Sequence, residues 1–283
     1  MGKIDTNYFG LNSALKIIEP EIMACNLPMR LDPYLGCQHN CTYCYARAQM
    51  HRFPKLSKLW GSNAIKPINP DMLEKRLKKV LNSSQCPSNP VSKALWHKFP
   101  VRIGTDTDPF PPIEGKYRVT KRILEILNEH SYPYIINTKS VMVAEDEYLN
   151  LLKDSPAGAI VQFTIISLDE ELISKIEPGA PPVGKRLEAM ETLSDQDIYV
   201  QTRISPIIPE LTDGLEEMQK LFQVLKERGT RDLIVEYLRY NPFIRRWMSS
   251  ALGVAPTYID EIFLKTYREC SGAFPDCCNR NQD

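Results

Sequence analysis

From residue 100 onward, short apolar runs alternate with amphipathic stretches, and this alternation predicts strand and helix in turn. Val101-Arg102-Ile103-Gly104-Thr105 reads as a strand followed by a helix over 118–130, and Tyr134-Ile135-Ile136-Asn137-Thr138 as a strand followed by a helix over 144–154. The next pairs are a strand from Ala159 to Ser167 with a helix over 184–194, and a strand from Ile198 to Pro206 with a helix over 213–228. Asp232-Leu233-Ile234-Val235-Glu236-Tyr237 closes the series, and Met29-Arg30-Leu31-Asp32-Pro33-Tyr34 is a further extended run upstream. Strands separated by helices of this length pair in parallel through right-handed crossovers. The fold class is therefore α/β. Periodicity alone leaves open whether the sheet is doubly wound or curls into a partial barrel.

The flanks carry less regular signal. Residues 1–28 read as an N-terminal extension in which Ala14-Leu15-Lys16-Ile17-Ile18 forms a short strand or hairpin arm, and Thr42 to about His51 reads as a helix. Prolines at 54, 67, 70, 87, 90 and 100 interrupt the next stretch, where one helix survives over Pro70–Leu81. It places Met72, Leu73, Leu77, Val80 and Leu81 on one stripe, with Asn69 as N-cap. After Arg239-Tyr240-Asn241-Pro242-Phe243-Ile244-Arg245-Arg246-Trp247 comes a helix over Pro256–Arg268, then an end containing Cys270, Cys277 and Cys278. The expected organisation is an extension over 1–28, a body over 29–238 with an insertion at 51–100, and a tail over 239–283.

Composition adds two constraints. A chain of 283 residues with 43% apolar content can bury a full core, and Lys plus Arg equals Asp plus Glu at 35 each. No global field thus recruits nucleic acid or membrane. The balance hides a local excess, because residues 51–100 hold Arg52, Lys55, Lys58, Lys66, Lys75, Arg76, Lys78, Lys79, Lys93 and Lys98 against Asp71 and Glu74 alone. A solvated outer helix face accounts for these charges, and a nucleic-acid contact is the functional alternative. No apolar run reaches the ~18 residues of a membrane span, and Met1-Gly2-Lys3-Ile4-Asp5 opens without the apolar core of a signal peptide. The expected location is the cytoplasm, whose reducing conditions favour metal sites over disulfides among the 8 cysteines.

The densest chemistry lies in Leu35-Gly36-Cys37-Gln38-His39-Asn40-Cys41-Thr42-Tyr43-Cys44-Tyr45-Ala46-Arg47. Its Cys-x3-Cys-x2-Cys spacing supplies three thiolates from one loop, the soft ligands that iron–sulfur clusters and zinc select. A closed zinc site wants four ligands, whereas three cysteines on a [4Fe-4S] cluster leave one iron open. A zinc knuckle completed by His39 or a remote cysteine is the alternative at this point.

In parallel barrels, function gathers at the carboxyl ends of the strands. Those ends carry Thr105-Asp106-Thr107-Asp108-Pro109-Phe110, Thr138-Lys139-Ser140, Ser167-Leu168-Asp169-Glu170 and Arg203-Ile204-Ser205-Pro206. Lys139 and Arg203 suit a carboxylate, and the hydroxyls suit an ammonium group and a ribose. The cysteine spacing with Tyr43 resembles that of the radical S-adenosylmethionine (SAM) enzymes. These strand-end segments, with Glu114, Glu177-Pro178-Gly179-Ala180-Pro181 and Lys185-Arg186-Leu187, resemble that superfamily's spore-photoproduct-lyase-like branch over residues 29–238.

The resemblance implies a partial (β/α)6 TIM-type barrel. It also implies a [4Fe-4S] cluster on Cys37, Cys41 and Cys44, with SAM bound near Tyr43, Thr105 or Thr107, Lys139, Ser167 and the backbone around Ser205. Arg203 joins this set as a carboxylate ligand, and Tyr45, Asp106, Asp108 and Glu114 are candidates for substrate contact or proton handling. Tyr45 is similar to a tyrosine of the photoproduct lyases. Those enzymes carry a hydrogen-donating cysteine where this chain has Gly104-Thr105, which argues against thymine-dimer repair. The implied activity is reductive cleavage of SAM with an electron from a flavodoxin- or ferredoxin-like donor, the resulting radical acting on a nucleic acid or nucleotide. That substrate also fits the basic 51–100 segment and Arg245, Arg246 and Trp247. A small metabolite or peptide substrate, and a non-catalytic metal protein that binds nucleic acid, are the alternatives. Cys270, Cys277 and Cys278 suggest a second metal site or a hydrogen-atom donor.

Overall fold

Apolar residues at alternate positions of successive strands give this sheet one face to bury. A computed structural model describes residues 14–17, 29–51, 53, 57–61, 64–239 and 241–270. Its strands are β1 (Leu15–Ile17), β2 (Met29–Leu31), β3 (Tyr34–Leu35), β4 (Lys66–Pro67), β5 (Val101–Ile103), β6 (Tyr134–Thr138), β7 (Ala159–Thr164), β8 (Tyr199–Ile207) and β9 (Asp232–Tyr237). β3 and β4 form a separate antiparallel pair. The other seven strands make one sheet in the order β1-β2-β5-β6-β7-β8-β9. β1 is antiparallel to β2, and every other neighbour is parallel.

From β2 to β9 the spatial order follows chain order without a reversal. Right-handed crossovers that always step the same way place their helices on one face of the sheet, whereas a doubly wound sheet requires a switch point. This decides what periodicity left open, in favour of the barrel-type arrangement.

The helical face carries Met29, Leu31, Val101, Ile103, Tyr134, Ile136, Val161, Phe163 and Val200, all buried. Against them pack Ile123, Leu124 and Leu127 of helix Val119–Glu129, Tyr148 and Leu152 of Asp146–Lys153, Met190 and Leu193 of Val183–Asp195, and Leu221 and Leu225 of Leu215–Glu227. Side chains alternate between faces along a strand. The opposite face therefore presents Arg30, Arg102, Asn137, Gln162, Gln201, Arg203, Asp232 and Glu236, aligned by the parallel register. Ile135, Ile160 and Ile234 share this face, so the interior is mixed, with polar and charged side chains in the majority.

Element boundaries differ from the sequence reading in informative places. The run 29–34 is broken at Asp32-Pro33, where the Asp32 side chain turns to cap another loop and Pro33 has no amide to donate. Helices Pro90–Trp96, Glu170–Ile176 and Pro242–Leu252 form where none was expected. Two of them begin with asparagine caps: Asn89 accepts from Ser92 N, and Asn241 accepts from Phe243 N. In helix Pro70–Leu81, Leu73, Leu77 and Val80 are buried as expected, but Met72 is 42% exposed. Among the described residues, no helix is long and apolar enough to cross a membrane.

Candidate functional site

The cysteine loop leaves β3 at the carboxyl end of the sheet and is held from two sides. Gly36 has a φ of +96°, and a Cβ there would lie 2.5 Å from Leu59 O. Gly61 N donates to Cys37 O at 2.8 Å. On the other side, Thr42 N donates to Ile176 O at 2.9 Å and Gly179 N to His39 O at 3.0 Å. The approach at Gly179 is so close that a Cβ would fall 2.1 Å from Gln38 O. His39 is buried and places Nδ1 3.0 Å from Gly179 O and Nε2 2.9 Å from Asp108 Oδ2. It is a tie between the loop and the β5 end, one ring nitrogen facing each side.

Cys37, Cys41 and Cys44 are free thiols, Cys41 buried and the other two half-buried. Cys44 Sγ accepts from Arg47 N at 3.3 Å and so caps helix Tyr45–Met50. Burial pushes the Cys37 thiol up to about 12 and raises Cys41 and Cys44 as well. At Cys41, the charges of the other two add to this effect. Sequestered thiols whose ionised forms repel one another call for a cationic centre between them. The donor set fits a [4Fe-4S] cluster with one open iron. Among the described residues, no three His, Cys, Asp or Glu side chains converge on a single ion, a convergence that a cluster with one thiolate per iron does not need.

Behind the loop, Glu177 is fully buried and collects three partners. Tyr43 donates its hydroxyl to Oε1, Arg186 Nη2 sits 2.5 Å from Oε2, and Lys139 Nζ lies 3.9 Å from Oε1. Arg186 is anchored by its Nε to Pro181 O at 2.7 Å and by its Nη1 to Thr164 O at 3.2 Å. Lys139 Nζ also stands 5.6 Å from the Tyr43 ring centroid. Burial works against the Lys139 ammonium, but Cys41 and Glu177 outweigh it and its pKa is raised. Burial and Glu177 likewise drive the Tyr43 phenol up.

Two carboxylates organise the turn after β5. Asp108 accepts from Thr138 Oγ1 at 2.9 Å, Lys139 N at 2.8 Å and Phe110 N at 2.9 Å, besides facing His39. Burial favours its neutral form, yet His39 and these donors prevail, and its pKa is lowered. Asp32 Oδ1 accepts the amides of Thr105, Asp106 and Thr107 at 2.9, 2.9 and 3.1 Å. Asp106 pairs with Arg30 at 2.9 Å, and Tyr45 donates its hydroxyl to Thr105 O at 2.7 Å.

These contacts bring the three cysteines, Tyr43, Tyr45, Thr105, Asp106, Thr107, Asp108 and Lys139 together at one end of β2, β5 and β6. Arg203 and Ser205 form a second group on β8, where both engage Glu236 Oε2, at 2.9 and 2.7 Å. Ser167 follows β7, and its hydroxyl accepts from Asp169 N. Glu114 is placed differently: it is wholly buried and accepts from Tyr34, Tyr148, Thr120 N and Lys121 N. Those four donors give it a structural position.

The basic candidates are partly engaged within the fold. Arg245 pairs with Asp260 at 2.6 and 2.7 Å, Trp247 carries the Arg47 guanidinium 3.9 Å above its ring, and Arg246 is exposed. Lys75 and Lys79 are exposed on helix Pro70–Leu81. Cys270 ends the last helix, and Cys277 and Cys278 lie outside the described residues.

Sequence reasoning did not single out Asp32, Glu177, Arg186 or Glu236 as site residues, and it weighed His39 only as a zinc ligand. The usable signal was the presence of ionisable residues within segments otherwise destined for burial.

A solved structure of spore photoproduct lyase with bound AdoMet and dinucleoside spore photoproduct superposes with a TM-score of 0.60 at 19% identity, over 86% of this chain and 65% of that one. The chain thus spans just under two thirds of that enzyme and shares its fold. An uncharacterized protein of Mycobacterium tuberculosis is 24% identical over 248 residues, covering 87% of this chain and 69% of the relative. A radical SAM Nalpha-GlyT isomerase of Pseudomonas phage M6 is 22% identical over 253 residues, covering 89% of this chain and 46% of the isomerase. The family model of the Radical SAM superfamily matches residues 31–223, more than half of the chain and all three loop cysteines, and the chain belongs to that superfamily.

Proposed function

We propose that the chain is a radical SAM enzyme acting on a nucleic acid or a nucleotide-like substrate. The observation that carries the chemistry is the trio of free, sequestered cysteines fixed at the carboxyl end of a one-sided parallel sheet. A [4Fe-4S] cluster held by Cys37, Cys41 and Cys44, together with SAM, would supply reductive radical chemistry for hydrogen abstraction from the substrate.

The chain's own residues hold and orient. Cys37, Cys41 and Cys44 are the cluster ligands. Lys139 presents a cation beside Cys41 and the Tyr43 ring, where the carboxylate of an amino acid would be drawn. Glu177 and Arg186 lock Tyr43 from behind. Trp247, stacked on Phe243, packs against Arg47 of helix Tyr45–Met50 and so braces the helix that follows the loop. Arg203 and Ser205, tied to Glu236, line the β8 side of the mouth.

The nucleotide reading is supported by the company this fold keeps: a lyase structure holding a dinucleoside photoproduct, and a phage relative named as a Nalpha-GlyT isomerase. Thymine-dimer repair is not the proposal. Gly104 has a φ of +84°, and a Cβ there would lie 2.5 Å from both Asn137 O and Pro109 Cδ, so the backbone has no room for a cysteine at that point.

The test is anaerobic. Protein reconstituted with iron and sulfide is mixed with dithionite and SAM, and 5′-deoxyadenosine is quantified against Cys41→Ala. Formation that depends on Cys41 is the expected result. Stoichiometric zinc in the site with SAM left intact would refute the catalytic reading.

A further inference from the structure

The inner face of the sheet holds a buried cation with no described counter-charge. Arg102 on β5 is 4% exposed. Its strand neighbours Val101 and Ile103 point into the apolar layer under the helices, so Arg102 projects from the opposite face. The register sets it beside Arg30 on β2 and Ile135 on β6, and neither can neutralise it. Among the described residues, Arg102 Nε has no hydrogen-bond partner. Arg30 is committed to Asp106 at 2.9 Å, and its Nε is also buried and unpartnered.

The unsatisfied groups extend toward the mouth. Asn137 Oδ1, two residues beyond Ile135 on the same face of β6, is buried without a partner, as is Thr105 Oγ1 where β5 opens into its loop. Arg102 lies three residues before Thr105, about 10 Å down the strand at ~3.3 Å per residue. Thr105 O is the group that Tyr45 touches just past the third cysteine. A guanidinium that is 4% exposed, with its Nε unpartnered and no described carboxylate beside it, is costly in an otherwise closed fold, because burial strips most of its water. It is retained at low cost where a ligand supplies the anion.

We propose that Arg102, flanked by Arg30, is the anion seat of the barrel interior and takes a phosphate or carboxylate carried by the substrate. This rests on the reading above for the identity of the site and deepens it by naming the substrate's chemistry: the molecule enters through the mouth with an oxyanion leading. Arg102 sets how deep it goes. Arg30, restrained by Asp106, adds charge without swinging away.

The test needs no turnover. Calorimetric titration of the cluster-reconstituted protein, without reductant, uses thymidine 5′-monophosphate, thymidine, inorganic phosphate and succinate as probes. Binding of an anionic probe and not of thymidine is expected, weakened about tenfold or more by Arg102→Met and partly kept by Arg102→Lys. Preference for the phosphates or for succinate identifies which oxyanion the seat takes. The ligand-free melting temperature of Arg102→Met is expected to equal or exceed that of the wild type, since the substitution removes an unpaired buried charge. The proposal is overturned if no anion binds the wild type, if Arg102→Met binds anions equally well, or if both variants fail to fold. Loss of 5′-deoxyadenosine formation in the earlier assay with anion binding intact would refute the radical reading alone.

Discussion

Asp32 concentrates three backbone donors on one carboxyl oxygen, and burial together with the nearby charge of Asp106 raises its pKa to about 7. A carboxyl raised in the folded state is protonated there while the unfolded chain has already ionised near its ordinary value of 3.8. The folded state then binds the extra proton, so this contribution to stability is fully present below about pH 4 and is lost as pH rises toward 7. At 1.36 kcal/mol per pH unit, its size is at most about 4 kcal/mol. Asp32→Asn keeps an oxygen for the three amides and removes the titration. Denaturant unfolding of the cluster-free protein between pH 4 and 8 should show a flatter profile for the variant, with the variant gaining on wild type between pH 4 and 7 and holding that gain above it. Parallel profiles would mean that Asp32 is ionised throughout.

At the scale of elements, the cysteine loop depends on a segment more than a hundred residues away in the chain. Gly179 lets Gln38 O come within what would be 2.1 Å of a side chain, and both neighbouring carbonyl and amide groups bond across that gap. Because the obstructing atom is backbone, Gly179→Ala must displace the loop itself. The expected result is a folded protein with little iron and acid-labile sulfide after reconstitution, read by metal analysis beside circular dichroism; full cluster loading would count against it. This coupling also explains what the sequence left illegible. Strands β5 to β9 and their long helices were readable because each repeats one apolar period over its length. The cysteines were readable because their spacing is local. Glu177, Arg186 and Asp32 were not, since each takes its meaning from a partner distant in sequence, and no local period marks such a pairing. Short helices such as Pro90–Trp96 were hidden because prolines that start helices look, in a proline-rich stretch, like prolines that break them.

At the scale of the whole molecule, the equal totals of 35 cationic and 35 anionic residues leave any nucleic-acid contact to local geography. Two basic groups compete. Helix Pro70–Leu81 belongs to the crossover from β2 to β5 and packs on the outer layer, where Glu74 meets Arg122 of the neighbouring helix at 3.0 Å. Its start is near the mouth, because Ile68 N bonds Pro33 O, so Lys75 and Lys79 lie progressively down the outer wall at 1.5 Å per residue. Helix Pro242–Leu252 instead touches the cluster-loop helix through Trp247 and Arg47, and Arg246, the residue before Trp247, is exposed. A strand that approaches over the cluster-loop helix would meet Arg246, and would reach Lys75 and Lys79 only along the outer wall. Each phosphate contact on a single strand adds about 0.7 to the slope of log affinity against log salt. Arg246→Gln should lower that slope by about 0.7 and weaken binding of a single-stranded oligonucleotide, as followed by fluorescence anisotropy across a salt series. The double change Lys75→Gln with Lys79→Gln should leave the slope unchanged. The reverse pattern would place the strand along the outer wall, and a slope near zero for the wild type would exclude a phosphate-tracking surface and leave the buried Arg102 seat to a small anionic molecule.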